Sequence, residues 1–205
     1  MTMIEELYAR HPRLVACGRE IERAFAILLD CYRRGGKVLT CGNGGSAADA
    51  EHIVGELMKK FRRHRGIDGE IAARLPVELA DKLEGALPAV SLVSMSGILT
   101  AFANDVAWDT AFAQQVYGLG AAEDVLIALS TSGNSLNCVN AALVAKAKGL
   151  KVIALTGARG GKLGELADAV IAVPETETFK VQELHLPVYH ALCAELEDAL
   201  FETRG

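Results

Sequence analysis

Three things are scarce in this 205-residue chain, and each scarcity argues against a class of function. Basic excess is the first. With 21 Lys and Arg against 26 Asp and Glu, and a formal charge of -5, the surface does not suit a protein whose main partner is a nucleic-acid backbone. The one basic cluster, Arg62, Arg63, His64 and Arg65, reads as a solvated helix end, where cations complement the dipole. Long apolar runs are the second. None reaches membrane-spanning length, and Glu5 and Glu6 stand where a secretory leader needs a basic start and an apolar core. Paired cysteines are the third. Cys17, Cys31, Cys41, Cys138 and Cys193 include no CxxC, and an odd number suits reduced thiols better than a disulfide framework, so the expectation is a cytoplasmic protein. Two familiar phosphate motifs are missing as well. No glycine loop runs into Gly-Lys-Ser/Thr, and none has the spacing of the dinucleotide fingerprint.

What is present is apolar enough, at 51% hydrophobic, to build one buried domain, read as spanning 1–205. The chain is organised around Cys41 to Glu56, CGNGGSAADAEHIVGE. Lys37 to Thr40 before it reads as a buried strand and the alanine-rich stretch within it as a helix, so the glycines form a strand-loop-helix turn. Gly42, Gly44 and Gly45 allow close backbone approach, while Asn43 and Ser46 offer side-chain hydrogen bonds. Ser46 is also placed to cap the helix, whose free amides favour an anion. His52 and Glu56, at i and i+4, project from one face of that helix as a candidate base and metal ligand.

The remaining elements follow from periodicity. Residues 3–34 read as an amphipathic helical arm broken at Pro12, with Ile4, Leu7, Leu14, Ile21, Phe25, Leu28 and Leu29 at helical spacing. The helix from Ser46 is expected to reach about Phe61. Residues 65–88 read as a short helical excursion or a lid. Strands are predicted at 89–93, 124–129, 151–156 and 169–173, and helices at 98–106, 108–119, 136–148 and 178–201. Strands alternating with helices imply an α/β fold with a parallel sheet covered on both faces and ligands at the carboxyl ends of the strands.

A second strand-loop-helix unit carries Ser130-Thr131-Ser132-Gly133-Asn134-Ser135. It offers hydroxyls and backbone amides at a helix start, as a phosphate monoester requires, although an ordinary capped turn has the same composition. Two such loops in one small sheet favour the phosphate. Gln182 and His190, eight residues apart, lie near one face of the last helix. With His52 and Glu56 they form a mixed N/O set for zinc if the two helices meet; each alone also reads as an ordinary helix side chain. Asn104 and Asp105 serve equally as caps or as sugar-hydroxyl contacts. Cys41 and Cys138 read as small buried residues with no basic neighbour to activate them.

The segments CGNGGSAADAEH, ANDVAWD, DVLIALSTSGNS, KVIALTGARGGKL and VQELHLPVYH resemble, in order and over nearly the whole chain, the sugar isomerase (SIS) domain family. Within it they look most like the sedoheptulose 7-phosphate, or phosphoheptose, isomerases. The resemblance implies a three-layer sandwich around a five-stranded parallel flavodoxin-like sheet, assembled as a homotetramer with active sites near subunit boundaries. It implies substrate contacts from Asn43, Gly44, Gly45, Asn104, Asp105, Ser130, Thr131, Ser132, Ser135 and Gln182, and a zinc ion held by His52, Glu56, Gln182 and His190. Glu56 is then the base and His190 its acid/base partner in an aldose-ketose isomerisation through a cis-enediol. The implied product is D-glycero-D-manno-heptose 7-phosphate, the first intermediate on the way to ADP- or GDP-heptose and lipopolysaccharide. Two departures stand out: residues 65–88 look like an insertion, and Phe179 stands where many members have an aspartate. Three other readings compete: a non-enzymatic relative that binds the replication initiator DnaA, a sugar-phosphate sensor, and an isomerase of another sugar phosphate. Non-enzymatic relatives lack the Glu and final His pair, so Glu56 and His190 favour an enzyme.

Overall fold

The computed structural model describes residues 1–201; the last four residues of the expected domain lie outside the described residues. Five strands, β1 (Val38–Cys41), β2 (Ala89–Ser91), β3 (Val125–Leu129), β4 (Lys151–Gly157) and β5 (Ala169–Val173), form one parallel sheet in the order β2-β1-β3-β4-β5. Val38 pairs with Ala89 on one side and Val125 on the other, placing β1 inside the sheet. The strands are apolar runs rather than alternating patterns because helices cover both faces.

One face carries α1 (Met3–Arg10), α2 (Gly18–Arg33), α3 (Gly45–Met58) and α10 (Thr178–Leu200). The other carries α6 (Ser96–Asp105), α7 (Ala111–Leu119), α8 (Leu136–Ala147) and α9 (Gly161–Leu166). Successive strand residues point to opposite faces, so Val125, Ile127 and Leu129 join the first core while Leu126 and Ala128 join the second. The expected three-layer α/β sandwich is the fold that forms. Among the described residues no helix is long and apolar enough to cross a membrane.

Several local expectations are corrected. The helical arm breaks at Pro12, into a 3-10 segment over Pro12–Cys17, and its apolar face packs within the chain. Leu7, Leu14 and Ile21 are fully buried within the chain, and Glu195 on α10 accepts the first amides of α1, from Met3 at 2.6 Å and Ile4 at 3.3 Å. α3 starts at Gly45, with Gly44 in the capping position and no side-chain cap, so Ser46 lies inside the helix instead of capping it. It stops at Met58, short of Phe61, because the Glu197 carboxylate accepts the amides of Phe61, Arg62 and Arg63 at 2.9, 2.8 and 3.1 Å. Arg65 is not a solvated helix end. It is fully buried and bonds Glu197 Oε1 through Nε at 2.7 Å. The excursion after it folds into α4 (Gly69–Ala72) and α5 (Val77–Ala80), neither of which buries a residue. Between the strands predicted at 151–156 and 169–173, Gly161–Leu166 forms the helix α9.

Candidate active site

The strand order places the site. β1 has β2 on one side and β3 on the other, and the helices that follow β1 and β3, α3 and α8, pack on opposite faces. A crevice therefore opens at the carboxyl ends of β1 and β3. The glycine loop and the serine loop border it, and a double amide bond ties them together. Asn43 Nδ2 donates to Asn137 Oδ1 at 2.9 Å and Asn137 Nδ2 donates to Asn43 Oδ1 at 2.8 Å. The Asn43 side chain is committed to this joint, which leaves the main chain of Gly44 and Gly45 to face a ligand. Gly44 adopts φ +57°, which favours glycine, and a Cβ on Gly45 would stand 2.7 Å from Gln182 Nε2. Gln182 thus closes over the start of α3, with Nε2 3.5 Å from the Ser46 hydroxyl. Asn137 escaped the sequence reading because an asparagine in the first turn of a helix looks like any surface residue.

The serine loop is internally braced. The Ser130 and Ser135 hydroxyls lie 2.9 Å apart, Ser132 Oγ accepts the Asn134 amide at 3.1 Å, and Asn134 Oδ1 accepts the Lys162 amide from α9 at 3.1 Å. Beside it lies a cavity of about 250 Å³ lined by Thr131, Ser132, Asn134, Gly157, Ala158, Arg159, Glu175 and Thr176. Arg159 brings a cation to this wall. Sequence reasoning passed over it within the turn GARGG. The Glu175 carboxylate on the same wall is neutralised by Arg13 at 2.5 Å.

α3 and α10 do meet, and they bring three of the four expected zinc ligands into contact. His52 Nε2 lies 3.1 Å from Glu56 Oε1 and 3.4 Å from His190 Nε2. Glu56 Oε2 is 3.2 Å from Lys59, whose exposed ammonium gives way at little energetic cost. Burial, and then the neighbouring His52, lower the His190 pKa below its ordinary value, which keeps the ring neutral and able to accept a proton. Gln182 lies two turns away against Gly45 and Ser46 and does not join this trio. Two imidazole nitrogens and a carboxylate oxygen have the chemistry for zinc, and separations of 3.1 and 3.4 Å match the edges of a tetrahedron with bonds of about 2.0–2.1 Å. Among the described residues, however, no three His, Cys, Asp or Glu side chains enclose a common metal position. The donor chemistry suits the ion, while the arrangement does not enclose it: binding requires the side chains to rotate onto one point.

Asn104 and Asp105 end α6 on the surface, bonded to each other at 2.8 Å, and no hydrogen bond among the described residues draws them to the trio. His185 is structural. It is fully buried, with Nε2 3.2 Å from the Thr156 carbonyl, and burial lowers its pKa to about 4. Cys41 and Cys138 are buried, as expected.

A flavodoxin-ordered sheet with two polar loops at its switch point defines a class, and the model of the SIS domain matches residues 16–157. The chain is 42% identical over 188 residues to the phosphoheptose isomerase of Rhodospirillum rubrum, an alignment covering 92% of this chain and 90% of the relative. The structure of the phosphoheptose isomerase from Neisseria gonorrhoeae superposes with TM-score 0.71 at 34% identity, covering 96% of this chain and 99% of that one. That from Francisella tularensis gives TM-score 0.73 at 29% identity, with coverage of 96% and 98%. The chain belongs to the SIS domain family and, within it, to the phosphoheptose isomerases.

Proposed function

We propose that this chain isomerises D-sedoheptulose 7-phosphate to D-glycero-D-manno-heptose 7-phosphate, with Glu56 and His190 moving the protons. The observation that carries the reading is the convergence of Glu56, His52 and His190 from two helices, beside a glycine loop clipped through Asn43 and Asn137 to a hydroxyl-rich loop. The hydroxyls of Ser130, Thr131, Ser132 and Ser135 and the first amides of α8 receive the phosphate, and Arg159 faces the same cavity. Gly44, Gly45 and Gln182 line the sugar chain, with Ser46 behind them. Asn104 and Asp105 reach sugar hydroxyls only if substrate or a second subunit brings them to the site.

Glu56 takes the proton from C1 of the ketose and returns it to C2, while His190 carries a proton between the C1 and C2 oxygens through the enediol. Hydrogen-bond donors around the carbonyl stabilise the charge that develops there. His52, Glu56 and His190 would hold zinc, joined by Gln182 if its side chain turns from Gly45 and Ser46 toward them; the ion when bound supplies Lewis-acid polarisation of the substrate oxygens.

The chain is further proposed to work as a homotetramer in the cytoplasm. Val106 and Tyr117, 63 and 65% exposed, line an apolar groove, a surface that suits subunit contact, and five buried free thiols suit a reducing compartment. Sedimentation at micromolar concentration checks the first of these: a monomer would remove the assembly. The test of function is incubation of metal-defined protein with sedoheptulose 7-phosphate, followed by NMR of the sugar. Appearance of the aldoheptose phosphate is expected. Binding without conversion would move the reading to a sensor or a non-catalytic relative.

A further inference from the structure

Tyr189 precedes His190 on α10 and is only 2% exposed, yet its hydroxyl reaches two side chains of α3 at once. It lies 3.1 Å from Asp49 Oδ1 and 3.0 Å from His52 Nδ1. A phenol has one proton to donate. A phenol, with an ordinary pKa of about 10, keeps that proton at neutral pH. An ionised Asp49 accepts and cannot donate, so the phenol proton points to Asp49 and the phenol oxygen receives the N–H of His52 Nδ1. Burial raises the Asp49 pKa, while the Tyr189 bond and the nearby His52 oppose that rise. Its second oxygen, Oδ2, is buried without a partner, so Tyr189 is what holds this carboxylate among the described residues.

This relay decides what His52 offers to the other side. With the proton on Nδ1, the lone pair of Nε2 faces Glu56 Oε1 and His190 Nε2 at 3.1 and 3.4 Å. A lone pair facing an ionised carboxylate oxygen, which can only accept, at 3.1 Å calls for a cation between them, and His190 Nε2 stands beside that space. We infer that Asp49 and Tyr189 are positioning residues that lock the Nδ1–H tautomer of His52 and aim its Nε2 lone pair at the space shared with Glu56 and His190, ready for a divalent cation. The inference rests on the zinc reading above for the identity of the cation, and its first readout needs no metal.

The test uses full-length metal-free protein with ¹⁵N-labelled histidines, observed by NMR at about pH 8, above the ordinary histidine and carboxylate ranges. Wild-type His52 is expected to carry its proton on Nδ1. In Tyr189→Phe, which keeps the ring and loses the hydroxyl, the proton moves to Nε2, where Glu56 accepts it. Zinc affinity, measured by competition with a chromogenic chelator, falls about 10–100-fold in the variant, the usual effect of losing a group that orients a metal ligand. Asp49→Asn, on the other helix, supplies an amide that lets Tyr189 donate to Nδ1; it is expected to shift the tautomer in the same direction and keeps the test decisive if Tyr189→Phe misfolds. Wild-type His52 protonated on Nε2, wild-type protein that takes no zinc, or variants with unchanged tautomer and zinc affinity would overturn the inference. Turnover of sedoheptulose 7-phosphate, assayed separately, bears on the isomerase reading and leaves the tautomer readout untouched.

Discussion

Two clusters of ionisable side chains lie at the end of α3, one sealed and one open. In the sealed one, Arg65 and Glu197 meet at 2.7 Å with both side chains 0% exposed. The guanidinium also donates to the carbonyls of Leu57 at 2.7 Å and Glu56 at 3.1 Å, and the carboxylate receives three backbone amides. Burial works to raise the Glu197 pKa, but the Phe61 amide, Arg65 and the Arg62 amide outweigh it and hold the carboxyl below its ordinary value. In the open cluster, His52 is 41% exposed, and it faces Glu56 and His190 with more acceptor atoms than protons to share. The difference separates structure from work. A buried pair with its donors and acceptors matched fixes the chain, whereas a half-open group short of protons or cations is poised to take one up. The two are linked, because Arg65 holds the carbonyl of Glu56 and so fixes the helix end that presents the base.

Breaking the sealed cluster should have the largest effect. Glu197→Ala leaves a buried guanidinium unpaired and is expected to destabilise the fold by about 3–5 kcal/mol, read from urea unfolding; a loss near zero would mean that Arg65 escapes to solvent. Glu56→Gln attacks the open cluster instead. Turnover should drop by about 10²–10⁴-fold while the unfolding midpoint stays close to wild type, which would separate chemistry from stability. Replacing Ser130 and Ser132 together by alanine should weaken sugar-phosphate binding through the loss of hydrogen bonds worth about 1.5–3 kcal/mol each to a charged group, with kcat less affected than KM. Unchanged affinity would remove the serine loop as the phosphate seat. The last effect is a pH slope, confined to acid conditions. His185 has a folded pKa of about 4 against an ordinary 6.5, so its neutral form favours folding fully above 6.5 and that contribution is lost as pH falls toward 4. His185→Gln should flatten the decline of stability across this window, measured by urea unfolding at a series of pH values.

The sheet was legible because its strands are short apolar runs set between helix-period segments, and Lys37 to Thr40 or Asp124 to Leu129 admit no other buried element of that length. His52 and Glu56 were legible as a pair because i, i+4 spacing fixes one face of a helix whatever that helix packs against. Their meeting with His190 was not, since it depends on how α3 and α10 cross, and no spacing within either segment encodes that crossing. Arg65 was misread because a run of cations looks solvated until its counter-ion is known, and Glu197 stands 132 residues away. Tyr189 was missed because its ring sits in the apolar core while only its hydroxyl reaches the site. Ser46 failed as a cap because Gly44 already turns the chain, and the helix begins one residue earlier.

The most direct test of the central claim is conversion of sedoheptulose 7-phosphate in deuterated water by the wild-type and Glu56→Gln proteins, followed by NMR. Aldoheptose phosphate labelled at C2 by the wild type, with neither product nor exchange from the variant, is the predicted result. Conversion by Glu56→Gln at the wild-type rate would contradict the account.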